Sequence, residues 1–98
     1  METRTIKQLL QLTLKYFKKW DIKGICAVLQ VMNDRGIITR EEFEEINDFI
    51  KDNRPTEGKF FDKSYFDCDN IYFFDPEDRN IRIEWLNFLI NEIDNGEN

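Results

Sequence analysis

The sequence predicts a mainly α-helical single domain of about four helices, with an aromatic-rich loop or short β-hairpin between helices 3 and 4. Three observations support this fold class. Apolar residues recur at helical spacing in four segments, turn and capping signals separate the segments, and no internal repeat divides the chain. With 98 residues, of which 41% are hydrophobic, the chain is long enough for one modest core. We therefore assign residues 1–98 to one domain.

The clearest helix start lies in the segment from Gly36 to Phe43. Thr39 suits an N-cap because its hydroxyl can accept from a free backbone amide, and Glu42 can complete a capping box. Ile38 and Phe43 form a candidate hydrophobic staple. Gly36 suits the left-handed residue that ends a preceding helix. Two helices are therefore expected to meet at this turn.

The apolar spacing predicts helices over residues 5–19, 22–33, 40–52 and 80–94. Asp21 would cap the second helix, which is apolar nearly all round and is expected in the middle of the core. Gly24 would then lie inside that helix, where glycine costs about 1 kcal/mol relative to alanine. The segment from Asp75 to Asp78 is an alternative start signal or a turn. We place the start of the last helix near Asn80, with Gly96 just past its end.

The connection over residues 55–79 holds half of the fourteen aromatic residues of the chain. Disordered linkers are poor in aromatics, so we expect this segment to pack on the helices as a lid. The alternative is that it presents its aromatic side chains to a ligand or partner. Residues 71–74 have the composition of a short strand.

Charge is distributed unevenly along the chain. Residues 1–40 carry eight basic and three acidic side chains, a net charge of +5, whereas residues 41–98 carry six basic and seventeen acidic side chains, a net charge of −11. The simplest interpretation is two ordinary solvated faces. The functional interpretation is a dipolar molecule that attracts an anion to its basic side and a basic partner to its acidic side.

Several kinds of chemistry are disfavoured by composition. The chain has no histidine, which is the commonest general base and neutral metal ligand. Its glycines form no phosphate-binding loop, and its two cysteines lack zinc-site spacing. Two cysteines are also too few for a disulfide scaffold, so we expect reduced thiols, with Cys26 as a small core residue. We predict a protein that is not an enzyme and has no cofactor; a hydrolase is a third-ranked alternative.

The turn from Gly36 to Glu42 resembles the second half of an EF-hand loop, which ends in a bidentate glutamate. The first half does not match. Loop positions one and five would be Val31, which cannot bind calcium, and Arg35, which would repel it. We therefore predict no calcium binding and no metal site.

Location and nucleic-acid binding are also constrained. No apolar run approaches the eighteen residues of a transmembrane helix, and the first residues lack the apolar stretch of a signal peptide. We expect a cytoplasmic protein with no membrane partner. A sequence pI of 4.6 argues against sequence-specific duplex DNA binding. The oligomeric state stays open, including a homo-oligomer.

Two candidate binding surfaces follow from the charge pattern. The first is a basic-aromatic patch suited to a nucleotide or oligonucleotide, which it would hold by charge, stacking and the planar fork of arginine. Its predicted members are Lys15, Lys18, Lys19, Lys23, Tyr65, Tyr72, Arg79 and Arg82. The second is an acidic face on the third helix suited to a basic partner protein. Its predicted members are Glu41, Glu44, Glu45, Asp48 and Asp52.

The order of short motifs resembles a family of small, largely uncharacterised accessory proteins encoded by phages of low-GC bacteria. The shared pattern is Gly24-Ile25-Cys26, the turn from Gly36 to Glu42, Pro55 with an aromatic loop after it, and a final helix with Arg82, Trp85 and Leu86. Ile81 departs from the pattern, since proline is usual there. The resemblance implies a non-enzymatic phage protein in the host cytoplasm that blocks a host process, such as a defence system. It would act by binding a host protein through its acidic surface or by sequestering a nucleotide signal.

Overall fold

The computed structural model describes residues 4–22, 24–61 and 76–96. It contains four helices, α1 (Ile6–Lys19), α2 (Ile25–Asp34), α3 (Arg40–Asp52) and α4 (Pro76–Gly96). The described ranges contain no strand, so the prediction of a mainly helical fold with four helices is confirmed, while the described part of the connection gives no support for a hairpin. The strand predicted over residues 71–74 lies outside the described residues.

α1 is the central helix, because it contacts each of the other three. It begins with a capping box in which the Thr5 amide donates to Gln8 Oε1 over 2.9 Å and the Gln8 amide donates to Thr5 Oγ1 over 3.1 Å. Thr13 is fully buried in this helix, and its hydroxyl donates to the Leu9 carbonyl over 2.7 Å. The one polar side chain that α1 buries therefore has its hydrogen bond satisfied locally.

The core draws apolar side chains from all four helices and from the turn between α2 and α3. Burial of this apolar surface is the main favourable term in folding. Its fully or almost fully buried members are Leu9, Leu10, Phe17, Ile25, Val28, Leu29, Met32, Ile38, Ile46, Ile50, Trp85, Leu86, Leu89 and Ile90.

The predicted start of the second helix at residue 22, with Asp21 as its cap, is wrong. α2 begins at Ile25, and Gly24 is its N-cap with φ −93° and ψ 143° and no side-chain cap. Ile22 is partly buried against the core and Ile25 is fully buried, while Asp21 is exposed. Packing of these two isoleucines is consistent with a helix that begins at Ile25 and not directly after Asp21. Gly24 is therefore not inside a helix.

The turn between α2 and α3 is a Schellman motif. Gly36 has φ +75°. Its amide donates to the Asn33 carbonyl over 3.1 Å, and the Ile37 amide donates to the Met32 carbonyl over 2.9 Å. The left-handed residue predicted at Gly36 is confirmed, and a side chain there would be strained.

α3 has the bounds predicted for it. The Thr39 amide donates to Glu42 Oε1 over 2.9 Å, and the Glu42 amide donates to Thr39 Oγ1 over 3.1 Å, so the capping box is confirmed. Ile38 is buried, and Phe43 packs against the core cluster that contains it. Both side chains of the predicted staple thus fix the entry of α3 into the core.

α4 begins at Pro76, four residues before the predicted start, and its last residue is Gly96. The alternative start signal, in the segment from Asp75 to Asp78, is the correct one. Proline at the first helical position loses no backbone hydrogen bond, and its ring fixes φ near the value of a helix. Asp75, the cap predicted with it, lies outside the described residues.

Cys26 is buried on α2, as predicted, but it is not a free thiol. It is disulfide-bonded, and its partner lies outside the described residues. The expectation of reduced thiols is therefore wrong, because a cysteine count says nothing about which cysteines the fold brings together. One argument for a cytoplasmic location is lost with it.

Glu42 has a second role beyond its capping box. Its carboxylate, in a side chain that is 3% exposed, accepts from the Arg4 amide over 3.0 Å and from Arg4 Nη1 over 3.0 and 3.2 Å. Burial raises the pKa of this carboxyl. The hydrogen bonds from the Thr39 and Arg4 amides and the Arg4 guanidinium together outweigh burial, so the pKa lies below its ordinary value of 4.5.

We predict that Glu42→Gln lowers the free energy of unfolding by about 2 kcal/mol at neutral pH, since a charged acceptor with several donors is lost. A depressed pKa means that the stabilisation is complete above the unfolded-state pKa and is lost as pH falls through the folded-state value. The difference between wild type and variant should therefore shrink in acid. Denaturant unfolding at a series of pH values measures it.

The matched control is Glu41→Gln, which removes the same charge from the same helical turn at an exposed position. It should cost less than about 0.5 kcal/mol. Equal losses for the two variants, or a Glu42→Gln loss that does not change with pH, would contradict the assignment.

Candidate functional site

Two aromatic rings and three cations form one cluster where α1 ends. The centroids of the Tyr16 and Trp20 rings lie 4.6 Å apart, with 36° between the ring planes. Lys15 Nζ and Lys19 Nζ lie 5.5 and 5.9 Å from the Tyr16 centroid, and the Arg35 guanidinium carbon lies 5.0 Å from the Trp20 centroid. Both rings are half-buried, and the cations are exposed. We call these five residues the basic-aromatic cluster.

Helix geometry and tertiary packing each supply part of this cluster. Residues 15 and 19, and residues 16 and 20, meet because side chains four apart share a helix face. Arg35 is the C-cap of α2 and reaches Trp20 only through the packing of α1 on α2. The sequence prediction missed Arg35, and no local signal could have found it.

The other predicted members of the patch lie elsewhere. Lys18 lines a cleft of about 340 Å³ between α1 and α4, together with Lys15, Gln11 and Asn87 among others. Lys15 therefore stands between this cleft and the basic-aromatic cluster. Lys23, Tyr65 and Tyr72 lie outside the described residues.

The two predicted arginines of α4 lie outside the basic-aromatic cluster. Arg79 donates to the carbonyl oxygens of Lys18 over 2.6 Å and of Trp20 over 3.2 Å, and its guanidinium carbon lies 5.7 Å from the centroid of the Phe17 ring. It thus places a cation where the dipole of α1 is negative. Arg82 is buried, with 2% of its surface exposed. Neither guanidinium belongs to the exposed basic-aromatic cluster.

The acidic face of α3 consists of the five predicted carboxylates, and all five are exposed. They are Glu41, Glu44, Glu45, Asp48 and Asp52. Among the described residues, Glu44 alone of these has an ion-pair partner, since Arg40 Nε lies 3.2 Å from Glu44 Oε1. The other four carboxylates keep their negative potential toward solvent.

A groove that the sequence prediction missed lies between α3 and α4. Its volume is about 490 Å³, and its lining residues are Phe49, Asn53, Phe88, Leu89, Glu92 and Ile93. Phe88 is 45% exposed, and its ring centroid lies 5.6 Å from that of Phe60. Its signal in the sequence is a large apolar residue, Phe88, at a helical position off the side of α4 that Trp85 and Leu89 bury.

The described residues show no arrangement that identifies a reaction. No group of three or more His, Cys, Asp or Glu side chains within them is placed to hold a metal ion. None of the described helices combines the length and apolar character needed to cross a bilayer. Comparisons with protein-family models, curated proteins and solved structures found no match to this chain. Function must therefore be argued from the surfaces themselves.

We predict that Arg79→Met and Arg79→Lys each lower the free energy of unfolding by about 1–3 kcal/mol, because both lose the fork that satisfies the end of α1. Lys18→Met, at an exposed position on α1, is the control and should cost less than about 0.5 kcal/mol. Thermal unfolding followed by circular dichroism measures the losses. An Arg79→Lys variant as stable as wild type would show that a positive charge at this position is enough to stabilise the end of α1 without the guanidinium fork.

Proposed function

We propose that this protein is a non-enzymatic binding protein that uses the acidic face of α3 to bind a basic surface on another protein. The observation that carries the proposal is the set of five exposed carboxylates on this one helix, of which only Glu44 has an ion-pair partner among the described residues. A regular helix presents such charges in a fixed array. A basic partner can match that array without any rearrangement of this chain.

Charge complementarity gives this surface a defined physical role. An acidic array raises the rate at which a basic partner is encountered and suppresses acidic competitors. Many strongly basic protein surfaces bind nucleic acid, whose phosphates present a similar row of negative charges. A bound acidic helix would then exclude nucleic acid from its partner.

The resemblance to phage accessory proteins supplies a setting for this activity. In that setting the partner is a host protein, and the outcome is inhibition of a host process such as a defence system. The turn from Gly36 to Glu42, on which the resemblance partly depends, is also the turn that starts α3 and its acidic face.

The test is a pull-down from host lysate at low salt, with bound proteins identified by mass spectrometry and their affinities then measured with purified components. Glu44→Lys/Glu45→Lys should weaken binding at least about 10-fold, and added salt should weaken wild-type binding steeply, because exposed charges are screened. A partner bound equally well by wild type and this variant would contradict the proposal.

The matched control is Asp34→Lys/Glu57→Lys. It makes the same change in net charge at two exposed positions outside the acidic face. It should change affinity less than about 3-fold, since distant surface charges are screened over a Debye length of about 8–10 Å. Equal losses in both double variants would mean that only net charge matters.

A second candidate function has its own supporting observation, the basic-aromatic cluster. Cations beside the half-buried rings of Tyr16 and Trp20 suit the phosphates and base of a nucleotide or oligonucleotide. In this alternative the protein sequesters a nucleotide signal.

For this candidate we expect native mass spectrometry of protein purified at low salt to show an added mass of a few hundred daltons per chain, on the order of one nucleotide. Lys18→Glu/Lys19→Glu should abolish the added mass if the ligand contacts both the cleft beside Lys18 and the basic-aromatic cluster. Lys15→Glu/Lys19→Glu, which removes both cations from the Tyr16 ring, should do so if the cluster alone binds. A ligand retained by both variants would exclude the basic-aromatic cluster as its site.

A further inference from the structure

We infer that the groove between α3 and α4 receives the apolar side of a basic amphipathic helix, with Phe88 as its main contact. This inference rests on the proposed function and deepens it. The acidic face would attract the partner, and the groove would hold it. The occupant is a helix of the partner protein with apolar residues on one side and lysine or arginine beside them.

The lining of the groove is largely apolar. Phe49, Phe88, Leu89 and Ile93 supply most of its lining. Phe88 leaves 45% of its surface in water although it lies in the middle of α4, and among the described residues only Phe61 is a comparably exposed large apolar side chain. Exposed aromatics beside a concave surface are typical anchors for a protein partner.

The form of the groove suits a helix. Two helices supply its walls, and its volume is about 490 Å³. Known helix-in-groove complexes place apolar residues at positions i, i+3, i+4 and i+7 into a cleft lined by apolar side chains. A groove lined by residues of two neighbouring helices offers this kind of cleft. Phe88 and Ile93 on α4 and Phe49 on α3 would contact the inserted side chains from the two walls.

The charge around the groove selects the occupant. Glu45 and Asp52 lie four residues before and three residues after Phe49, so they share its side of α3. Glu92 lines the groove itself from α4. The nearby Glu84 pairs with Lys59 over 2.9 Å, whereas no ion pair involves Glu45, Asp52 or Glu92 within the described residues. An apolar groove between acidic borders fits a basic amphipathic helix and repels an acidic one.

The acidic face of α3 adjoins this groove, because Glu45 and Asp52 belong to the face and share the side of the helix on which Phe49 lies. One partner can therefore contact both at once. A second copy of this chain is a poorer occupant, since the apolar side of its basic helix α1 is already buried in its own core.

The experiment uses the full chain and a fluorescently labelled helical peptide with leucines at i, i+3, i+4 and i+7 and lysines at the remaining positions. Anisotropy titration gives its affinity for wild type, Phe88→Ala and Phe61→Ala. The two phenylalanines are matched controls, since they are 45% and 49% exposed and only Phe88 lines the groove. Phe88→Ala should weaken binding at least about 10-fold, and Phe61→Ala less than about 3-fold.

A peptide with glutamates in place of the lysines should not bind. Circular dichroism should show unchanged helix content in both phenylalanine variants, because neither side chain belongs to the buried core. Equal affinities for Phe88→Ala and Phe61→Ala would overturn the inference, as would failure of wild type to bind the basic peptide. A dimer in sedimentation experiments that Phe88→Ala dissociates would also overturn it, because a second copy would then be the occupant.

The two proposals fail in different ways. Suppose that Glu44→Lys/Glu45→Lys weakens binding of the basic peptide while Phe88→Ala and Phe61→Ala bind it equally. The inference about the groove then fails, and the proposed role of the acidic face is supported. If Phe88→Ala weakens binding of the basic peptide and Glu44→Lys/Glu45→Lys does not, the proposed role of the acidic face fails. The groove then binds the peptide by apolar contact alone.

Discussion

The buried Glu42 carboxylate is the interaction on which the arrangement of the helices depends most. It caps α3 through the Thr39 amide and, through both its oxygens, binds Arg4, the residue before the N-cap of α1. One anion is thus shared by the N-terminal ends of two helices, where helix dipoles favour negative charge. A buried carboxylate is costly unless several donors satisfy it, and here they also lower its pKa. This constraint holds α1 and α3 together and so fixes which face of α3 stays in water.

The sequence predicted well what local chemistry decides. Gly36, Thr39 and Glu42 act within one turn of each other, and the bounds of α3 followed directly. It predicted poorly what depends on distant contacts. The Arg4–Glu42 pair spans 38 residues. The late start of α2 goes with the packing of Ile22 and Ile25 on the core, which a good cap residue at Asp21 did not reveal.

The candidate surfaces divide in the same way. The acidic face of α3 was predictable in full, because one regular helix presents all five carboxylates to water. Of the cations in the basic-aromatic cluster, only Lys15 and Lys19, which α1 alone supplies, were predictable from the sequence. Arg79 and Arg82 carried charge that suggested a ligand, but the fold uses Arg79 to satisfy the end of α1 and buries Arg82. Arg35 joined the cluster from α2, which composition and spacing could not indicate.

The division between charge and apolar surface has a consequence for binding. Exposed carboxylates act over a Debye length and mainly raise the rate of encounter, whereas a buried aromatic contact mainly slows dissociation. The acidic face alone would give a fast, salt-sensitive and weakly selective complex. In the proposed complex, Phe88 in a groove that Glu92 also lines would add a contact that only a partner with an apolar stripe beside basic residues can make. The combination would then let this chain select one basic surface among the many that its charge would attract.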